Sequence, residues 1–426
     1  MIEITLFFIF VMVVLLKPTV IPYMALILLF IVGLTHPGIL DEYKVTLGAV
    51  NVFPMDLLYL LAGIYFLVYW VRISLDAEFK KNNSAETKAA SLLMLFYILF
   101  FVGKLINGFF AGLPFDSLIR VFMGDTHMLY FFMPLVIYKD ISKLKRLIYF
   151  AVILALIFPM CQPFLVHTEF TRSVMKGMGG VLRLGYGDAN ALLGLGAVAL
   201  FSWEYKKYLA FLPMAGIMML AHRSAFVAIA IAFMAISYLR GKNIKMAAMM
   251  AVVGVLMIGM LSLLQSFTNI DILGKNLSRA EQTFENTGTT KARIGVIPII
   301  FEEFLERPLT GLEYREFHEM TQHNTARNFN ITHPHNFILS TIVNTGLIGV
   351  IFRFLLIGKA LSAAYKLAKS EQFKSIGIFL FSWMLYFIFY AAMNTTMESV
   401  GYMFWFVCGV TFWFFNQYKK TPLVTA

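Results

Sequence analysis

Apolar residues gather into runs at about 2–16, 19–35, 53–71, 91–106, 121–138, 147–165, 186–203, 209–221, 224–239, 246–263, 336–358, 376–393 and 399–417. Most approach the roughly 20 residues a helix needs to cross a hydrocarbon layer about 30 Å thick. The pattern predicts an all-α polytopic membrane protein, a single integral membrane domain over 1–426 with 12 or 13 transmembrane helices. The count turns on Lys17-Pro18, which divides two short runs: Pro18 either opens a second helix or kinks one.

The polar breaks alternate in charge. Arg72, Lys80, Lys81 and Lys88 follow the third run, and Lys139, Lys143, Lys145 and Arg146 follow the fifth. Lys206-Lys207, then Arg240, Lys242 and Lys245, then Lys359, Lys366, Lys369 and Lys374, and finally Lys419-Lys420 mark later breaks. Basic loops stay in the cytoplasm, so these lie inside and the intervening loops lie outside. The long loop 264–335 is then extracytoplasmic. It carries seven Lys/Arg against nine acids, a balance of −2, so the rest of the chain holds +13. Plain connectors are rarely this long, so a function is expected there. Within it 292–306 (ARIGVIPIIFEEFLE) reads as an amphipathic interfacial helix bent at Pro298.

Composition agrees with lipid as the solvent. Of the 426 residues 59% are hydrophobic and 14% charged, against roughly 25% charged in soluble domains. A net charge of +11 would suggest nucleic acid in a soluble protein. Here the basic inner loops account for it, and no nucleic acid is expected. Cys161 and Cys408 lie far apart in apolar runs, without a disulfide framework or a CxxC pair. The N-terminal run lacks a basic leader and a small-residue cleavage site, and reads as a retained helix.

Three polar features fall on the outer face. One is Thr332-His333-Pro334-His335-Asn336, at the head of an apolar run containing Gly346-Leu347-Ile348-Gly349. Another is a set of arginines at membrane ends, Arg183, Arg223 and Arg293. The third is Glu398, at the entrance to the final run. Singly each has a plain reading. An arginine at a helix end commonly snorkels to water. His333 and His335, separated by one residue, supply at most half a tetrahedral metal site, and no metal is expected. His167, His318 and His323 read as solvated loop residues. Together the features suit a phosphorylated lipid. Guanidinium forks pair with phosphate oxygens, and a histidine titrating near neutrality can take a proton from a hydroxyl.

The stretch Lys291 to Gly358 resembles the conserved block of the bacterial O-antigen ligase and O-antigen polymerase superfamily. The resemblance rests on Arg293, Pro308-Leu309-Thr310-Gly311, His333-Pro334-His335-Asn336-Phe337-Ile338-Leu339 and Gly346-Leu347-Ile348-Gly349. Upstream, Arg183 with Asn190, and Arg223-Ser224, are similar to further elements of that family. Four positions depart from it: no aromatic follows Arg293, Glu313 replaces the second glycine of the turn, Ser224 stands where glycine is usual, and His222 stands where serine is usual. The resemblance implies a glycosyltransferase of the bacterial inner (cytoplasmic) membrane, its active site facing the periplasm, with no cofactor. The donor is a glycan on undecaprenyl diphosphate. The acceptor is a sugar hydroxyl, on lipid A-core for a ligase or on a lipid-linked glycan for a polymerase. It also implies roles: His335 as base with His333 as second choice, Arg183, Arg223 and Arg293 on the diphosphate, and Asn336, Asn190 and Glu398 in support.

Two other classes stay open. A transporter or lipid flippase should show paired half-repeats and charges at mid-membrane. No repeat is evident, and the candidate charges, such as Lys104 and Asp125, lie near run ends. A non-catalytic scaffold for polysaccharide assembly would tolerate loss of His335. Within the enzyme reading ligase is preferred, with polymerase the alternative and a protein-O-glycosylating relative a third.

Overall fold

The computed structural model describes residues 17–35, 45–47, 50–52, 54–115, 118–119, 122, 127–167, 185, 187–220, 223–241, 289–314, 336–393 and 396–420. The described residues are overwhelmingly helical. The helices are α1 (Ile21–Leu34), α2 (Pro54–Leu75), α3 (Ala77–Asn82), α4 (Ala85–Phe110), α5 (Phe132–Ile137), α6 (Ile141–Cys161) and α7 (Ala189–Ser202). They continue with α8 (Phe211–Met219), α9 (Arg223–Leu239), α10 (Thr289–Glu306), α11 (Phe337–Lys369), α12 (Lys374–Ala391) and α13 (Thr396–Lys420). A small antiparallel hairpin, β1 (Val45–Leu47) with β2 (Val50–Val52), pairs Val45 with Val52 and is the one departure from an all-α description among these residues.

Most expected runs return as helices. Four among the described residues are long and apolar enough to cross a membrane: Ala85–Phe110, Ile141–Leu165, Phe337–Lys369 and Lys374–Ala391. Pro18 opens a 3-10 turn leading into α1, as a residue with no N–H to donate can at a helix start. The expected runs 2–16 and 246–263 lie outside the described residues. The run 121–138 is not one rod where it is described: a 3-10 turn over His127–Phe131 hands over to the short α5.

The largest correction concerns the run 336–358, expected as one crossing. Gly346 sits at φ 57° and ψ −160° and breaks α11. Phe337 stacks on Phe354 with ring centroids 6.1 Å apart. A straight helix would hold these residues about 25 Å apart. The guanidinium of Arg353 also donates to Thr341 Oγ1 at 2.5 Å. The first leg (337–345) therefore folds back beside the second leg (347–369), and only the second has the length of a crossing. Thr341 and Thr345 donate their hydroxyls to the carbonyls of Phe337 and Thr341, each at 2.6 Å, which satisfies them inside an apolar leg.

The chain divides into two compact units. One holds α1, the hairpin, α6 to α9 and α12. Its centre is α7, all of whose residues are buried, as expected of a helix apolar on every face. Phe30 meets Phe158 edge-on at 5.6 Å, tying α1 to α6. Phe201 of α7 stacks on Phe233 of α9 at 4.2 Å. Arg240 donates to the Ser202 carbonyl at 2.5 Å, closing the α7 C-terminus with a cation.

The other unit holds α2 from Tyr59, α3 to α5, α10, α11 to Leu367, and α13. Leu60, Ile64, Leu67, Val71 and Leu75 on α2 form an exposed apolar stripe, as do Leu92, Phe96, Leu99 and Ile106 on α4. A stripe of that spacing facing outward needs lipid around it. Helix α4 runs antiparallel to the second leg. Tyr97 meets Phe352 at 6.4 Å, and Lys366 and Lys419 both approach Glu86, at 3.9 and 3.7 Å. Half-exposed ion pairs like these add little stability. Their value here is positional: the basic ends of α11 and α13 and the start of α4 share one end of the unit, as the charge alternation requires. At that end Thr87 donates to Asn416 Oδ1 at 2.7 Å, and Asn416 donates to Asn83 at 3.1 Å. Asp76 caps α3 through the Phe79 N–H at 2.9 Å. That bond, and then the Arg72 guanidinium, hold its carboxyl below the usual range.

Candidate functional site

Two motifs far apart in the sequence, Pro308-Leu309-Thr310-Gly311 and Gly346-Leu347-Ile348-Gly349, form one joint. The break at Gly346 leaves the last carbonyls of the first leg and the first N–H groups of the second without helical partners. The turn supplies them. Leu312 N–H donates to Val343 O at 2.8 Å, while Leu347 N–H and Ile348 N–H donate to the carbonyls of Pro308 and Leu309 at 2.8 and 3.2 Å. The Asn344 carbonyl accepts from the Lys104 ammonium at 2.6 Å; the same ammonium donates to Leu312 O at 2.6 Å and to Thr310 O at 3.1 Å.

The joint explains two glycines. Gly311 has φ 67°, and a Cβ there would lie 2.7 Å from the Gly346 and Thr345 nitrogens and against the Val343 carbonyl. A Cβ on Gly346 would lie 2.5 to 2.6 Å from the Leu309 carbonyl group. The obstacles are backbone atoms, so a side chain has no room to relax into. Glu313, where the related pattern has glycine, is accommodated by accepting from Asn107 Nδ2 at 3.0 Å.

Helix α10 enters the joint directly. It spans Thr289–Glu306, slightly longer than expected, and carries Pro298 inside, so the Ile294 carbonyl lacks its usual amide partner. Ile300 is buried against Leu312 and Val343, with Leu339 packed alongside. Phe301 and Leu305 face outward, 53% and 72% exposed.

Asn336 caps the first leg. Its Oδ1 accepts from the N–H groups of Ile338 and Leu339 at 2.9 and 3.2 Å. Capping the helix is the observed role of Asn336. Asn336→Ala is expected to cost about 1 kcal/mol, read as a lowered unfolding temperature, while Asn336→Asp retains the cap. Loss of function in the aspartate variant at unchanged stability would show that Asn336 does more than cap.

In the other unit Asn190 is fully buried at the start of α7. Its Nδ2 donates to the Gly187 carbonyl at 2.9 Å and to Tyr390 Oη at 3.0 Å. Tyr390 donates to Gly187 O at 2.9 Å, and Tyr386 to Asn190 O at 2.8 Å. Asn190 Oδ1 has no partner among the described residues. Gly185, two residues past Arg183, packs where a Cβ would meet Leu220 Cδ2 at 3.1 Å, and Leu220 lies three residues before Arg223. The segments flanking these two arginines therefore meet at one end of that unit.

The candidate residues thus fall into two groups. Asn190 and the segments flanking Arg183 and Arg223 belong to the first unit. The helix of Arg293, the leg headed by Asn336, and α13 with Glu398 belong to the second. Arg183, His333 and His335 lie outside the described residues. Arg223, Arg293 and Glu398 sit on described helices, their side chains outside the description. Among the described residues no three His, Cys, Asp or Glu side chains are grouped closely enough to hold a metal ion.

Sequence reasoning missed two cations. Lys104, weighed there only as a transporter's mid-membrane charge, is 5% exposed and spends its three donors on backbone carbonyls. Arg353, 6% exposed, bonds Thr341 and lies 5.8 Å from the Tyr97 ring. The signal for both was an ionisable residue inside an apolar run.

No curated protein matches the chain. Residues 208–354, about a third of its length, match the family model described as O-antigen ligase. That stretch contains Arg223, Arg293, His333, His335, Asn336 and the whole joint, and ends within the second leg. Arg183, Asn190, Glu398 and Lys104 fall outside it. Over these residues the chain is similar to the O-antigen ligase family, and the match supports the resemblance to the O-antigen ligase/polymerase superfamily.

Proposed function

We propose that this protein transfers a glycan from undecaprenyl diphosphate to an acceptor sugar hydroxyl, as an O-antigen ligase acting on lipid A-core. The observation that carries the reading is the joint itself. The matched domain places the helix of Arg293 and the leg that follows His335 against a single turn. In this mechanism the acceptor oxygen attacks the anomeric carbon and its proton passes to His335. The bond from that carbon to the diphosphate oxygen breaks, and its electron pair leaves with the diphosphate. Arg183, Arg223 and Arg293 hold the diphosphate and balance the charge that grows on it. Direct displacement inverts the anomeric configuration. His333 is the second choice of base, and Glu398 and Asn190 support the charged groups.

The lipid tail stays in the hydrocarbon, and the reaction needs neither nucleotide nor metal. The basic end shared by α4, α11 and α13 supports an inner-membrane placement with the joint toward the periplasm.

Purified protein in liposomes, given an undecaprenyl-diphosphate glycan and lipid A-core, should form glycosylated lipid A-core without added nucleotide or metal. Arg293→Gln should lower kcat/KM by roughly 10²-fold or more, with smaller losses for Lys. Transfer to a second lipid-linked glycan instead of lipid A-core would move the assignment to a polymerase. No transfer to either acceptor, with the glycan-lipid moved across the bilayer, would replace it with a flippase.

A further inference from the structure

We propose that Lys104 is a positioning residue for glycan transfer: its ammonium sets the seat of the first leg of α11 against the turn that ends α10. The inference rests on the function proposed above and extends it to a residue outside the matched domain. The three acceptors of Lys104 belong to both halves of the joint: Thr310 and Leu312 on the turn, and Asn344 on the first leg. An ammonium has three donors and no acceptor, so these bonds complete its hydrogen-bonding capacity. The Phe100 and Tyr314 rings flank it at 5.4 and 5.9 Å, which favours the cation over a neutral replacement.

The chemistry explains why a lysine is needed at this place. Because Gly346 turns the chain, Ile348 N–H goes to Leu309 and not to Asn344. The Asn344 carbonyl would otherwise be an unmet acceptor in an apolar setting. No backbone group of α4 can reach it, since those are committed within the helix. A point charge on a long stem can, and it draws two carbonyls of the turn to the same spot. Arg293 lies on the helix leading into that turn, and His335 directly precedes the leg. The ammonium therefore governs the register between the diphosphate side and the base side of the proposed reaction.

The test uses the full-length protein with Cys161 and Cys408, both free, replaced by Ala. In that background Lys104→Cys should lose about 10²-fold in kcat, the scale expected for a misplaced reacting group, with the donor KM little changed. Alkylation with 2-bromoethylamine, which rebuilds an ammonium of nearly the same length, should restore most of the rate. Alkylation with a propyl halide should not. Rescue by the propyl group, or none by the aminoethyl group on a fully alkylated protein, would overturn the role of the charge.

A second measurement is independent of catalysis. Cysteines placed at Ile300 and Val343, which pack together, should cross-link readily when Lys104 is present and at the rate of a non-contacting pair in Lys104→Met. Equal cross-linking in both would overturn the proposal even if transfer is never observed. Lost cross-linking with no transfer in the parent protein would instead leave Lys104 in place and remove the glycosyltransferase reading.

Discussion

His335→Ala is expected to lower glycan transfer by roughly 10² to 10⁴-fold, the usual worth of a positioned general base, with donor binding retained. In the proposed reaction the acceptor hydroxyl is a poor nucleophile until its proton is taken, and the role proposed for the arginines does not supply that function. The supporting arrangement is the cap: the Asn336 side chain accepts from the first N–H groups of the leg, and His335 is the residue before it in the sequence. His333→Ala should lose less. The measurement is single-turnover transfer from preloaded donor, alongside binding of the donor lipid. A His335→Ala protein that transfers at the parent rate would remove His335 from the chemistry, and a larger loss in His333→Ala would exchange the two roles.

Gly346→Ala carries the largest expected structural effect. The pair φ 57°, ψ −160° belongs to a region essentially reserved for glycine, and holding another residue there costs about 1–3 kcal/mol. The added methyl would also press on the Leu309 carbonyl group at 2.5 to 2.6 Å and on the Gly311 nitrogen at 2.7 Å. Relief requires the turn to lift away, breaking three backbone hydrogen bonds worth roughly 0.5–1.5 kcal/mol each. Together these put Gly346→Ala among the exceptional losses of about 4 kcal/mol or more. Gly358→Ala on the second leg is the control. Nothing lies within 4 Å of its added Cβ, and a helical glycine replaced by alanine should gain up to about 1 kcal/mol. Thermal unfolding in detergent should separate the two variants sharply. Equal melting would mean that the backbone joint does not hold the legs.

The two predictions probe different levels. His335 concerns the proposed reaction, whereas Gly346 concerns the backbone joint between the turn and the two legs. Lys104 lies between them, since its removal leaves both glycines free to make the turn but takes away the charge that draws the turn and the leg together.

Much of the scaffold was legible from hydrophobic runs alone. Helices α1, α2, α4, α6, α7, α9, α12 and α13 fall where the apolar pattern places them, because each run carries its own reason to be buried or to face lipid. The charge alternation was legible for the same reason, and the Glu86, Lys366 and Lys419 cluster agrees with it. The site was legible only as a set of residue types. Arginines, histidines and glycines could be named, and Asn336 only as a supporting residue beside the histidines. The fold-back of α11 could not: the first and second legs make one unbroken apolar stretch, and hydropathy is indifferent to the direction of the axis.

Residue by residue, the chain alone determined a lipid-solvated helical protein, its charge alternation and the chemistry available to it. Those properties depend on side-chain transfer free energies and local periodicity, which neighbours in sequence report. The tertiary structure decided that Gly311 and Gly346 touch, that Lys104 serves backbone carbonyls from another helix, and that Phe337 returns to lie on Phe354. Contacts between backbones from distant segments leave almost no side-chain trace, because the main chain is the same at every position and only the absence of a Cβ records them.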